Sequence, residues 1–172
     1  MTYQARHLNL AAQTNSRDPG MAYWLVKSEP DECGIEDFAA NPDKPIRWDG
    51  VRNYQARNFL MQMAEGDSVL LYHSSCKHIG VAGIIRVVRS AYADPTQFDP
   101  ASVYHDPKSN PDKPRWQAVD MQFVARLPQL IPLDQLRIQQ GLENLPLVQK
   151  GSRLSVMPVS TAEWQLILGK SD

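Results

Sequence analysis

The segment most informative about chemistry runs from Trp48 to Leu60 and reads WDGVRNYQARNFL. It places a tryptophan and a glycine turn directly before a predicted helix. Backbone N–H groups at a helix N-terminus attract anions, and an aromatic ring offers a flat surface for stacking. The segment therefore predicts a site for a planar, phosphorylated ligand; the alternative is a solvated helix face beside a core tryptophan. The cationic and amide side chains of this predicted site are Arg52, Asn53, Arg57 and Asn58.

A second set of residues has the side chains needed to hold a ring. Trp24 and Ser28 lie on one face of a predicted strand, and Trp48 would complete a slot with rings for stacking and a hydroxyl for a base edge. Tryptophan also attracts methylated or electron-poor rings. The alternative is that both tryptophans belong to the core.

The sequence KGSRLS, which begins at Lys150, is the third candidate. A Gly-Ser turn that enters a strand can hold a phosphate through its backbone N–H groups. Arg153 would add a charge to such a site. An ordinary surface turn explains these residues equally well.

The most reactive side chains form no recognisable catalytic or metal site. His73, Cys76 and His78 have the spacing H-x-x-C-x-H, which fits no structural zinc pattern. No nucleotide-binding loop or nucleophile elbow is present in the sequence. We therefore expect a binding module without cofactor or metal. The alternatives are an enzyme acting on a modified nucleotide through Cys76, His73 or Glu29, and a small-molecule sensor that uses the same pocket.

Composition limits what kind of protein this is. The 172 residues predict one domain, and a formal net charge of -1 means that any anion-binding surface must be local. Two cysteines, expected as small buried thiols, fit a reducing compartment, and no apolar run approaches the ~18 residues of a membrane span. We expect a cytoplasmic protein with no obligate protein partner. Residues 1–20 are predicted to be a disordered leader, or an over-long start with Met21 as initiator.

The hydrophobic patterns predict an α+β fold with a mainly antiparallel, curved sheet or small barrel. Residues 79–89 are apolar on both faces and should form a central strand. Residues 95–114 should form a long polar loop. Further strands are predicted at 23–28, 68–73, 116–127 and 152–156, and helices at 35–39, 50–64, 134–140 and 161–168.

Several of these segments together resemble one known family, the EVE domain family, over residues 21–170. The resemblance implies a PUA-like fold, which is a bent, mostly antiparallel β-barrel with flanking helices, related to YTH domains. It also implies a function: recognition of a modified nucleobase, such as a modified cytosine, flipped into an aromatic pocket of the protein. The matching segments include YWLVKSEP at 23–30, WDGVRNYQARNF at 48–59, YHSSC at 72–76, YHDPKSNPDKPRW at 104–116 and RLSVMPV at 153–159.

The resemblance also implies roles for individual residues, with Trp48 as a wall of the base pocket. Because a pocket wall faces solvent in part, we expect Trp48→Ala to stay folded. The family usually has asparagine where this chain has Ser75, and a hydroxyl reads a base edge less selectively than an amide. The modification, and the choice between DNA and RNA, stay open. The predicted ligand-binding residues are Trp24, Lys27, Ser28, Trp48, Asp49, Ser74, Ser75 and Ser155; the predicted nucleic-acid backbone contacts are Arg52, Asn53, Arg57, Asn58, Lys150 and Arg153.

Overall fold

A six-stranded sheet organises the computed structural model, which describes residues 21–169. The predicted leader, residues 1–20, and the predicted domain end at residue 170 lie outside the described residues. The strands lie in the order β2-β5-β4-β3-β1-β6. Their bounds are β1 Tyr23–Ser28, β2 Ile46–Trp48, β3 Ser68–His73, β4 Gly80–Ala93, β5 Gln117–Pro132 and β6 Val156–Val159.

The sheet is mixed. The neighbours β1 and β3 run parallel, whereas the other four pairings are antiparallel. A parallel pair needs a long crossover, and here the crossover contains β2 and three helices. The strand order has two ends, β2 and β6, so the hydrogen-bonded sheet of the described residues is not closed. The fold is therefore α+β, as predicted.

Five α-helices flank the sheet within residues 21–169: α1 Pro30–Cys33, α2 Ile35–Ala40, α3 Tyr54–Gln62, α4 Leu133–Arg137 and α5 Thr161–Leu168. The prediction that a helix begins at residue 50 was wrong, because α3 begins at Tyr54. The side chain of Asn53 accepts a hydrogen bond from the Ala56 backbone N–H at 2.9 Å and caps α3. Arg52 and Asn53 therefore precede the helix. The predicted start of α5 is confirmed by the capping box of Ser160 and Glu163.

Alternate residues of β1 enter two separate hydrophobic clusters, as the strand pattern predicted. Tyr23 and Leu25 belong to one cluster, and Trp24 and Val26 belong to the other. The strand therefore has no solvent-facing side until its carboxyl end, where Lys27 and Ser28 become partly exposed. This end of β1 contributes to the site.

Other element boundaries differ from the sequence predictions for local reasons. The predicted strand 152–156 lies four residues later, at Val156–Val159. Strand β2 was missed because only three residues separate Pro45 from Asp49. The predicted central strand is confirmed, since β4 lies between β3 and β5. Among residues 21–169, no helix is long and apolar enough to cross a bilayer.

The long polar loop after β4 is held by a buried glutamine. The side-chain amide of Gln97 donates to the carbonyl oxygens of Asp94 and Trp116. Its oxygen accepts from the backbone N–H groups of Arg115 and Trp116. These bonds tie the two ends of the loop together, and its residue Tyr104 reaches the turn before α3.

Candidate functional site

A cavity of about 590 Å³ opens where β1 and β2 end and where the chain enters α3. Cavities of about 300–1,000 Å³ are typical of small-molecule sites. The cavity brings together nine of the residues predicted from the sequence: Lys27, Ser28, Trp48, Asp49, Arg52, Asn53, Ser74, Arg153 and Ser155.

The parallel pairing of β1 with β3 explains how three distant segments meet here. It places the carboxyl ends of both strands at one edge of the sheet. The Ser74 N–H donates to the Ser28 carbonyl at 2.9 Å, and the Lys27 N–H donates to the Ser155 carbonyl at 2.9 Å. Lys27, Ser28, Ser74 and Ser155 therefore line one side of the cavity.

Lys27 is half-buried on this side. Burial lowers the pKa of its ammonium group. The Nζ atom lies 5.9 Å from the centroid of the Tyr72 ring, and no carboxylate among the described residues pairs with it. The Ser28 hydroxyl has only a long contact, 3.4 Å, to the Glu29 carbonyl. Both side chains therefore keep donors available to a ligand.

Trp48 belongs both to the core and to the cavity wall. Only 7% of it is exposed, and its ring stacks on Phe38 at 6.4 Å between centroids with an interplanar angle of 24°. It also lines the cavity. Truncation would remove core packing, so the expectation that Trp48→Ala stays folded does not fit a side chain this buried; such changes cost about 3–5 kcal/mol.

Tyr104 forms a wall that sequence reasoning did not assign to the pocket. Gly50 has a φ of +76°, and a Cβ atom there would lie 2.7 Å from the Tyr104 ring. Glycine at this turn therefore permits both the backbone conformation and the close approach of the ring. The Tyr104 hydroxyl donates to the Glu32 carboxylate of α1. In the sequence, only the glycine of W-D-G indicates that another group packs closely against this turn. The residue spacing does not identify Tyr104 as that group.

The donors of Arg52 are engaged within the protein. Its guanidinium donates to the Tyr104 carbonyl at 2.7 and 3.0 Å, to Asp94 at 2.9 Å and to Thr96 at 3.0 Å. The Tyr104 ring lies 5.7 Å from the guanidinium carbon, and the Trp116 ring 5.4 Å. Arg52 therefore fixes the long loop against the cavity.

Arg57 and Asn58 lie outside the cavity lining. Arg57 donates to the Asn58 side chain at 2.8 Å and to the Arg115 carbonyl at 2.9 Å. It also lies over the ring of Tyr54, which stacks on Trp116. Its role is to support this stack beside the site.

Three further predicted residues also lie outside the lining. Trp24 is buried, and its indole N–H donates to the carboxylate of Asp67 at 2.9 Å. Ser75 is exposed in a left-handed conformation. Lys150 is exposed near Arg153 in the sequence. Of the two predicted tryptophans, the structure brings only Trp48 to the cavity.

The cysteines show no sign of nucleophilic activation. Both are partly exposed, which differs from the prediction of buried thiols. Burial, with the nearby carboxylates of Asp37, Glu32 and Asp49, raises the pKa of the Cys33 thiol to about 11. Cys33 lines the cavity, but near neutral pH it is a thiol and a poor nucleophile.

Of the three side chains considered for an enzyme, Glu29 lines the cavity, whereas Cys76 and His73 are engaged outside its lining. The Cys76 thiol lies 3.4 Å from the His78 carbonyl. His73 accepts a hydrogen bond from the Ile35 N–H at 3.1 Å, and burial lowers its pKa. Within residues 21–169, no group of three His, Cys, Asp or Glu side chains could hold a metal ion.

Residues 22–170 match the EVE domain, and the chain belongs to this family. Its relatives include thymocyte nuclear protein 1 of Danio rerio, which is 41% identical over 167 residues covering 87% of this chain and 72% of that protein. The Homo sapiens protein of the same name is 40% identical over 164 residues, covering 86% and 72%.

Solved structures show the same relationship. A crystal structure from Pseudomonas syringae is 54% identical, with a TM-score of 0.85, and covers 88% of this chain and 100% of its own. Human thymocyte nuclear protein 1 in complex with DNA containing 5-methylcytosine is 39% identical, with a TM-score of 0.83, and covers 88% and 98%.

Proposed function

We propose that this chain is a DNA-binding module that holds a modified base, 5-methylcytosine or a close relative, flipped into the cavity beside Trp48. The observation that carries the proposal is the cavity itself, in which the aromatic walls Trp48 and Tyr104 adjoin the polar side chains of Lys27 and Ser28. The similarity to a protein crystallised with 5-methylcytosine DNA supports the choice of base and of DNA.

The energetics require contacts beyond the base. Flipping a base costs a few kcal/mol, and stacking on an aromatic ring returns about 1–3 kcal/mol. A methyl group adds only about 0.8 kcal/mol on burial. Phosphate contacts must therefore supply much of the affinity.

Arg153 and Lys150 are the better candidates for these phosphate contacts. Both are exposed, and no acidic partner bonds either of them within the described part of the chain. Arg153 also lines the cavity. Arg52 and Arg57 were predicted for this role, but all five N–H donors of Arg52 and three of the five N–H donors of Arg57 already bond protein acceptors.

We further propose that this open sheet corresponds to the bent sheet of PUA-like folds related to YTH domains, and we retain the expectation of a cytoplasmic protein without an obligate protein partner. Catalysis is the less favoured function because the Cys33 thiol in the cavity is protonated near neutral pH.

The test is a binding titration of labelled oligonucleotides carrying one 5-methylcytosine or one cytosine, in DNA and RNA, single- and double-stranded. We expect tighter binding of the methylated DNA. Trp48→Phe should keep part of this preference because a smaller ring still stacks, and a denaturant melt of each variant separates lost stacking from lost folding. Equal binding of methylated and unmethylated DNA would overturn the proposal. Equally tight binding of the free nucleoside would indicate a small-molecule sensor, and a changed base in the recovered DNA would indicate an enzyme.

A further inference from the structure

Asp49 follows the tryptophan wall directly and lines the same cavity. Its Oδ2 atom accepts a hydrogen bond from the Nε of Arg47 at 2.8 Å. Within residues 21–169, no donor bonds Oδ1. The side chain is 26% exposed, so the carboxylate is partly shielded from water and has one acceptor atom free.

Hydrogen-bond donors lie in the same cavity as this free acceptor. Lys27 and Ser28 line the cavity with donors that bind no carboxylate in the described structure. An ionised carboxylate only accepts hydrogen bonds, an ammonium only donates, and a hydroxyl does either. The cavity therefore offers an acceptor at Asp49 and donors at the end of β1.

Cytosine and thymine differ in the group at C4, which is the group that would face Asp49 in this arrangement. The exocyclic N4 amino group of cytosine is a donor, whereas thymine has the O4 acceptor at the same position. The ring nitrogen N3 and the carbonyl oxygen O2 of cytosine are acceptors. A thymine in the cavity would oppose its O4 to the Asp49 carboxylate, and neither oxygen would gain a hydrogen bond.

Selectivity against thymine matters because thymine carries the same C5-methyl group. A pocket that read only ring size and the methyl group would accept every thymine in DNA as readily as 5-methylcytosine. A second contact must therefore read the amino group.

We propose that Oδ1 of Asp49 accepts a hydrogen bond from the exocyclic amino group of the flipped base, so that the site selects methylated cytosine over thymine. This inference rests on the proposed function. The Arg47 contact holds the carboxylate in place and leaves its second oxygen for the base.

The test compares four bases placed opposite an abasic site, so that no base pair opposes flipping: 5-methylcytosine, cytosine, thymine and 5-methyl-2-pyrimidinone. The last base keeps the ring and the methyl group but lacks the amino group. The wild-type protein should bind 5-methylcytosine about ten- to a hundred-fold more tightly than thymine or 5-methyl-2-pyrimidinone, as for a hydrogen bond to a charged group.

Asp49→Asn should reduce the ratio against thymine to within about three-fold, because an amide can also turn its NH₂ group toward thymine O4. The ratio against the pyrimidinone should fall by less, because the amide oxygen still accepts a neutral hydrogen bond from the amino group of 5-methylcytosine. Glu36→Gln is the matched control: it removes one charge from an exposed pair with Arg126, outside the cavity lining, and should leave both ratios unchanged. Thermal melts of both variants check folding.

The two proposals fail differently. If wild-type protein prefers 5-methylcytosine over cytosine but binds thymine and the pyrimidinone equally well, the methyl group is read and the role of Asp49 is overturned. The role of Asp49 would also be overturned if Asp49→Asn folds and keeps both affinity ratios of the wild type. If wild-type protein does not distinguish 5-methylcytosine from cytosine, the proposed function itself fails.

Discussion

The guanidinium of Arg52 donates to the carboxylate of Asp94 at 2.9 Å, and this carboxylate is fully buried. The same carboxylate accepts from the backbone N–H of Gly50 at 2.9 Å and from Thr96. The pair thus joins the turn that carries Trp48 to the beginning of the long loop. The shape of the cavity depends on this junction.

Arg52→Ala should lower the free energy of unfolding by about 3 kcal/mol, because it leaves a buried carboxylate without its charge partner. Arg137→Ala, which removes an exposed pair with Asp134, should cost less than about 1 kcal/mol. Urea denaturation measures both values. Arg52 contacts phosphate if its removal instead lowers the salt dependence of DNA binding by about one charge without a loss of stability.

The pKa of Asp94 predicts a pH dependence of stability. Burial alone would raise it, but hydrogen bonds from Thr96, Gly50 and Arg52 outweigh burial and hold this pKa below its ordinary value. The stabilisation is therefore present above about pH 4 and is lost as the pH falls through the lower folded-state pKa. Asp94→Asn should have a lower free energy of unfolding than wild type at pH 7, and this gap between the two proteins should narrow toward pH 3. A gap that stays constant with pH would contradict this assignment.

Local motifs made half of the site predictable from the sequence. The end of β1 and the W-D-G turn each carry their site residues within a few positions, so pattern and resemblance located Lys27, Ser28 and Trp48. Tyr104 was not among the predicted pocket residues, because hydrogen bonds from Arg52, which is far away in the sequence, hold it at the cavity.

Three of the errors have a common physical origin in side-chain hydrogen bonding. The side chain of Asn53 caps α3, so the helix begins later than predicted. Asp94 forms an ion pair with Arg52. Spacing showed amides and guanidinium groups near an aromatic ring, but it did not show that other protein groups satisfy them. Trp24 was assigned to the pocket for the same reason, although its N–H is bound by Asp67.

Arg153 should contribute one phosphate contact. Arg153→Ala is expected to weaken binding of methylated and unmethylated DNA by the same factor, and to reduce the slope of log affinity against log salt by about one. Arg126→Ala, which removes the same charge from an exposed pair with Glu36 outside the cavity, is the control. Anisotropy titrations at several salt concentrations measure the slope. Loss of base preference with an unchanged slope would instead place Arg153 at the base.

Gly50 and Gly151 form a matched pair for testing the Tyr104 wall. Both have a φ of +76°, but a Cβ at Gly50 would lie 2.7 Å from the Tyr104 ring, whereas nothing lies within 4 Å at Gly151. Alanine at either position should cost about 1–2 kcal/mol for the left-handed conformation, and at Gly50 about 1–3 kcal/mol more for overpacking. Equal costs would show that the ring moves freely.

Combining Gly50→Ala with Tyr104→Ala isolates the steric part of the cost of alanine at position 50. If the ring causes the extra cost, Gly50→Ala should be less destabilising in the Tyr104→Ala background than in the wild type, and Gly151→Ala should cost the same in both. Denaturant melts of the single and double variants give the coupling energy.

Ser75 has a φ of 52° and is the only non-glycine residue with positive φ among residues 21–169. Asparagine is enriched in this left-handed region, so the backbone conformation favours asparagine at this position without any contact to a base. Ser75→Asn should therefore raise the free energy of unfolding by about 0.5 kcal/mol, while the preference for methylated DNA should not change. Ser90→Asn tests the same substitution in strand β4, where asparagine is disfavoured, and should not stabilise. Ser75 lies outside the cavity lining, and a changed base preference in Ser75→Asn would show that this side chain nevertheless reaches the base.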